Sequence, residues 1–213
     1  MKNSHKTLLA AAISLGLMAG CNSQNDSETP TPMVRFATFN LSFDRTAAGM
    51  LAGELALSRT EQDALLARLA DGTLSGAEKT KALDVQQIRN IAEIVQRTRP
   101  DVFLLNEFDN DGKGSDTTDL KAFNDNYLAH AQHDEVKAIS YPVLQNFATN
   151  TGLMSGHDLN LDGKVNNGPD DAWGFGNYHG QYAFAVMSRY PIDTRQIRTF
   201  QTFKWKEMPG EAN

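Results

Sequence analysis

Asp101-Val102-Phe103-Leu104-Leu105-Asn106-Glu107 is a short, nearly continuous apolar run that ends in polar residues. Such a run reads as a strand buried on both faces. The residues before it form a helix. Val85, Ile88, Ile91, Ala92 and Val95 make one apolar stripe at helical spacing, while Arg89, Glu93, Gln96 and Arg97 lie away from it. Arg97 and Arg99 place cations at the C-terminal end, and Pro100 stops the helix. Further upstream, Val34 to Phe39 alternates and reads as a first strand running into a polar turn at Asn40. Strand, helix and strand in this order predict an α/β sheet with a covering helix. Open α/β sheets commonly carry their working groups at the carboxyl ends of the strands, and Glu107 sits at that end.

The flanking segments fill in the layer. Apolar residues recur near helical spacing from Thr46 to Leu69, with a break around Ser58 to Gln62, where Ser58 or Thr60 caps a second helix. Leu120 to Ala131 reads as helical through Leu120, Phe123, Tyr127 and Leu128, and Val136 to Phe147 as extended, broken at Pro142. Tyr182 to Met187 reads as another buried strand, and the alternation of Ile197, Thr199, Gln201 and Phe203 predicts one more strand over Ile197 to Trp205. Residues 151–180 form a long Gly/Asn/Asp-rich insertion, beyond the usual size of a plain connection.

The chain begins with a short basic stretch, Met1 to Lys6, followed by an apolar run from Leu8 to Ala19 and then Gly20-Cys21. This is the pattern of a secretory signal. The apolar run is too short to span a bilayer as a permanent helix. Leu17-Met18-Ala19-Gly20-Cys21 resembles a bacterial lipobox, which implies a signal peptide over 1–20 and lipidation at Cys21. Cys21 is the only cysteine in 213 residues, so an internal disulfide is excluded. Residues 21–33 are polar and carry two prolines, as a tether between lipid and domain would. The expected location is the cell envelope, at the outer membrane or extracellular surface, with the lipid as the membrane contact. A formal net charge of -6 removes the global positive field that would gather nucleic acid, and nothing points to sequence-specific binding of it.

Three segments carry a family resemblance. Val34 to Asn40, Arg99 to Glu107 and Gly180 to Ile192 resemble, in order, three segments of the endonuclease/exonuclease/phosphatase superfamily. Repair endonucleases, DNase I-like enzymes, inositol polyphosphate phosphatases and sphingomyelinases belong to it. The resemblance implies a DNase I-like four-layer α/β/β/α sandwich over residues 34–213, and a divalent-metal-dependent phosphoester hydrolase acting with Mg²⁺ or Mn²⁺. Glu107 matches the family's metal-binding glutamate, and Asn40 the asparagine that supports metal and phosphate from the end of the first strand. A hard divalent cation suits that assignment, because it takes carboxylate oxygen and keeps water and substrate phosphate as further ligands. Ser188-Arg189 resembles the family's Ser-Arg after the central strand, a structural arginine, while Tyr178 and His179 are placed to line a cleft.

Family members continue with a Gly-Asp-x-Asn and a Ser-Asp-His segment, and neither occurs before Asn213. On this reading the chain is a fragment or a frameshifted product holding only the N-terminal part of the fold, and is inactive by itself. The rival reading is a noncatalytic surface lipoprotein that binds calcium or a partner through Asp/Asn-rich loops. Asp158, Asn160, Asp162 and Asn166, with Gly163 at the turn, match the front of a Ca²⁺ loop. Pro169 stands where the closing carboxylate belongs, and an uncoordinated acidic surface loop is the alternative. No paired Cys/His zinc site, P-loop or dinucleotide fingerprint is present in the sequence.

Overall fold

The computed structural model describes residues 33–166 and 168–210. The signal sequence, Cys21 and all but the last residue of the tether lie outside the described residues. Val34–Asn213 forms one compact unit. Its elements run β1 (Phe36–Phe43), α1 (Met50–Leu55), α2 (Arg59–Ala70), α3 (Gly76–Thr98), β2 (Val102–Phe108), α4 (Thr118–Phe123), β3 (Val143–Asn146) and β4 (Phe184–Ser188). A π turn, Asn124–Leu128, extends α4.

The four strands form one mixed sheet in the order β1-β2-β4-β3. β1 and β2 are parallel, as a strand-helix-strand crossover requires, and β4 is antiparallel to both β2 and β3. Alternation sends Leu41, Phe43, Phe103, Leu105, Ala185 and Met187 into one buried layer against the helices. Val85, Ile88, Ala92 and Val95 of α3 meet them, so the apolar stripe read from the sequence is the covering face. Phe43, Phe108, Phe123 and Tyr127 close the layer, with the rings of Phe43 and Phe123 edge to face at 5.6 Å. Gln96 of α3 is buried but satisfied. It donates to the carbonyls of Leu128 and His130 and accepts from the amide of Gln132, which ties α3 to the end of the π turn.

Several expectations need correction. β1 does not turn at Asn40 but runs on to Phe43 through a bulge between these two residues, because Leu41 and Phe43 continue the buried alternation. Only Val143–Asn146 of the 136–147 stretch is a strand. The Ile197 to Trp205 strand does not form. Described residues there make 3-10 turns at Thr194–Gln196 and Trp205–Glu207, and no neighbouring strand supplies ladder partners. The described residues therefore make one sheet with helices against one face, a mixed α/β arrangement. The other sheet face carries Phe36, Thr38, Asn40, Leu104, Asn106, Val186 and Phe184, and Phe147 stacks on Phe184 at 5.1 Å. The 151–180 segment closes on itself through Gly152 to Gly174, Trp173 to Leu153 and Gly180 to Thr151 backbone bonds of 2.8, 2.8 and 3.0 Å.

At the opposite end from Glu107, Asp101 clamps three segments. It accepts from the Arg35 amide at 2.9 Å and from the Arg189 guanidinium at 3.0 Å, while its carbonyl accepts from the Arg189 amide. Arg189 thus serves the fold at the far edge of the sheet.

Candidate active site

Three neighbouring strands carry a left-handed, non-glycine residue at the same end of the sheet. Ser42 in the bulge of β1 has φ 50°, Glu107 near the end of β2 has φ 54°, and Tyr182 just before β4 has φ 58°. Side-chain sterics disfavour this conformation, and such residues persist where the surroundings over-determine them. Here the surroundings do so. Asn106 pairs with both Asn40 and Phe184, and the Phe108 amide donates to the Ala183 carbonyl at 3.0 Å, so Glu107 is pinned on either side. Gly180, at φ 92°, accepts from the Asn110 amide at 3.1 Å, and a Cβ there would lie 2.1 Å from the Asn110 carbonyl oxygen. Only glycine lets the two segments approach so closely.

Glu107 is half-buried, and among the described residues its carboxylate makes no hydrogen bond or ion pair with another side chain or the backbone. Asn40, expected to work beside it, stands one register step away on the adjacent strand. Its side-chain oxygen accepts from the Ser42 amide at 2.9 Å, which fixes the amide plane. The neighbouring Asn106 donates to Thr38 Oγ1 at 2.9 Å. The two expected site residues are thus brought to one rim by β1 and β2.

Behind the rim lies a buried polar cluster. Asp109 is 5% exposed, and accepts from the Arg45 amide at 2.8 Å, the Tyr182 amide at 2.9 Å and the Tyr178 phenol. Burial pushes its carboxyl up from the usual range, the nearby Asp44 charge adds to this, and the three donors oppose it. The Tyr182 phenol is also pushed up, by burial first and then by the charges of Asp44, Asp109 and Glu107. The Arg45 carbonyl accepts from Gln181 at 2.7 Å, and the Tyr178 phenol oxygen that serves Asp109 lies 3.0 Å from it. Arg45 itself reaches the other way, to Glu54 on α1 at 2.8 Å.

Asp44, Arg45 and Asp109 were passed over in the sequence. The only hint was an Asp-Arg pair directly after an apolar strand. Tyr178 belongs to this cluster, whereas His179 bonds the Thr149 carbonyl at 3.0 Å and packs over Gly112. A separate cleft of about 340 Å³, lined by Phe147, Asn150, Phe184 and Phe200 among others, lies by the open sheet face.

The second candidate site fares differently. Asp158 accepts from the amides of Asp162 and Gly163, Asn160 from Asp162, and Asp162 from Lys164, so these side chains close their own loop. Asp171 is buried and accepts from Leu159 and Asn166 amides, which binds the loop to the 3-10 turn Pro169–Asp171. Among the described residues no group of three or more His, Cys, Asp or Glu converges as a metal site.

The described residues thus form a mixed α/β sheet with a half-buried carboxylate near the carboxyl end of β2. The chain matches the Endonuclease/Exonuclease/phosphatase family over residues 37–213 and belongs to it. This makes it a phosphoesterase-type domain. The match runs to residue 213, so the reading of the domain as C-terminally truncated, with only its N-terminal part present, is corrected. No curated protein and no solved structure matches the chain.

Proposed function

We propose that the domain hydrolyses phosphoesters with the help of a divalent cation held at Glu107. The observation that carries this reading is the unpaired Glu107 carboxylate on a rim where three strands adopt left-handed backbone. A single free carboxylate is a suitable donor for Mg²⁺ or Mn²⁺, since such ions keep water and substrate oxygen among their ligands. When bound, the cation supplies Lewis acidity to the phosphoryl oxygen. Glu107 would hold it, and its pinned backbone limits reorganisation as the substrate enters. Asn40, with its oxygen held by the Ser42 amide, would offer its Nδ2 donor to a phosphoryl oxygen. Asn106 and Thr38 brace the floor between them.

The test is hydrolysis of bis-p-nitrophenyl phosphate with Mg²⁺ or Mn²⁺. Glu107→Gln keeps the shape but removes the charge, and a fall of at least ~100-fold is expected. Equal rates for the two proteins would sink the role of Glu107.

Lipidation at Cys21 would place this activity at the cell envelope, on substrates outside the cytoplasm. Labelled palmitate incorporated by the wild type but not by Cys21→Ser is the expected result, and equal labelling would refute the anchor. The rival role, Ca²⁺ binding by the 158–166 loop, predicts a Ca²⁺-dependent rise in melting temperature that Asp158→Ala abolishes.

A further inference from the structure

The free carboxylate of Glu107 is useful only if its backbone is held in place, and among the described residues the Glu107 side chain makes no hydrogen bond or ion pair that would hold it. The structure offers one group that reaches all three rim segments. Asp109 lies two residues beyond Glu107 with its carboxylate almost wholly buried. Its Oδ2 takes the Arg45 amide, from the chain leaving β1, and the Tyr178 phenol, from the long loop before β4. Its Oδ1 takes the amide of Tyr182, the left-handed residue that precedes β4.

These bonds join residues 64 to 73 positions apart in sequence. Backbone bonds from Phe108 to Ala183 and from Asn110 to Gly180 flank the carboxylate on either side. Burying a carboxylate without a cation in contact is unfavourable unless donors satisfy it. Here three donors do, and each belongs to a segment that shapes the rim.

We infer that Asp109 is a positioning residue of the site, one carboxylate that fixes the ends of β1 and β2 and the entry to β4 so that Glu107 and Tyr182 keep their left-handed conformations on the rim. This rests on the phosphoesterase reading above. Asp109 does not touch substrate in this role. It acts through Glu107, much as outer-shell partners orient the ligands of metal centres.

Asp109→Asn keeps the volume but turns one acceptor into an NH₂ donor facing an N–H or a phenol. Tyr178→Phe removes a single donor and leaves both backbone bonds. Ser58→Ala, on α2 and away from the rim, serves as a stability control. All are measured with the full chain on bis-p-nitrophenyl phosphate, well below their melting temperatures, alongside Mn²⁺ binding followed by electron paramagnetic resonance.

The expected result is a kcat for Asp109→Asn about 10- to 100-fold lower, with KM little changed and Mn²⁺ bound more weakly, and a smaller loss of the same kind for Tyr178→Phe. Ser58→Ala should lose melting temperature and keep its kcat. If Asp109→Asn does not fold, Tyr178→Phe decides, and an unchanged kcat in that folded variant overturns the assignment. A kcat for Asp109→Asn equal to the wild type, with Glu107→Gln inactive, overturns the role of Asp109 alone. A wild type that neither hydrolyses the diester nor binds Mn²⁺ overturns the phosphoesterase reading and this one with it.

Discussion

Glu54 is a buried acid whose contribution to stability is greatest at low pH. It sits on α1 with 2% of its surface exposed, 2.8 Å from Arg45 Nε. Its pKa is pushed up from 4.5 to about 6, because burial outweighs the hydrogen bond and charge of Arg45, and Asp84 adds repulsion. The ion pair does not repay its desolvation in full. A carboxyl raised on folding binds a proton in the native state that the unfolded chain has already released. Its contribution is therefore fully present below about pH 4.5 and is lost as pH rises through about 6. At about 1.4 kcal/mol per pH unit, the interval corresponds to about 2 kcal/mol. Carboxyls such as Asp63 and Asp116, which fold with lowered pKa, act in the opposite sense. The contribution of Glu54 must therefore be isolated by difference. Urea unfolding of the wild type and of Glu54→Gln across this range should show the wild type losing ~2 kcal/mol relative to the variant, a midpoint shift of about 1 M. A difference that stays level with pH, or grows as pH rises, would refute the placement of Glu54 as a buried, under-compensated acid.

Two further outcomes follow from packing and capping. Ser58 caps α2, accepting from the Glu61 amide at 3.3 Å while Glu61 returns a bond to the Ser58 amide at 2.8 Å. Ser58→Ala should cost ~1 kcal/mol in thermal denaturation, and no loss would mean the box is not formed in solution. Ile88 is fully buried where α3 meets the sheet, and Ile88→Ala should cost about 2 to 5 kcal/mol by denaturant titration. A loss under about 1 kcal/mol would mean that α3 does not pack as described.

The sequence disclosed what periodicity encodes. The α3 stripe and the apolar run of β2 had to face each other, because neither buries its side chains alone. Glu107 was read from the same run as the acid that ends it, and the structure places it near the end of β2. Asn40 was read as a turn, whereas β1 runs on past it. Leu41 and Phe43 carried the correct signal, since two further buried positions at strand spacing mean that the strand continues. At 197–203 the same alternation misled, for alternation describes a face and not a partner. Asp109 carries no local signal of its burial. Its burial depends on Arg45, Tyr178 and Tyr182, far along the chain, and no local window contains them.

The left-handed rim implies a trade between stability and chemistry that can be tested at one position. For an L-residue the left-handed region costs about 1 to 2 kcal/mol, a penalty absent in glycine. Glycine in turn loses about 0.5 to 1 kcal/mol more conformational freedom on folding. At φ 54° the balance for Glu107→Gly is a gain between about zero and 1.5 kcal/mol, since the half-buried Glu107 side chain contributes no hydrogen bond or ion pair to the fold. Thermal and urea denaturation should show a protein at least as stable as the wild type, while Mn²⁺ binding and diester hydrolysis are lost. That combination, stability kept or gained as function disappears, is expected where strain is held for a task. A Glu107→Gly protein destabilised by more than about 1 kcal/mol would show instead that the side chain supports the fold, and that its unpaired carboxylate is not held there for chemistry.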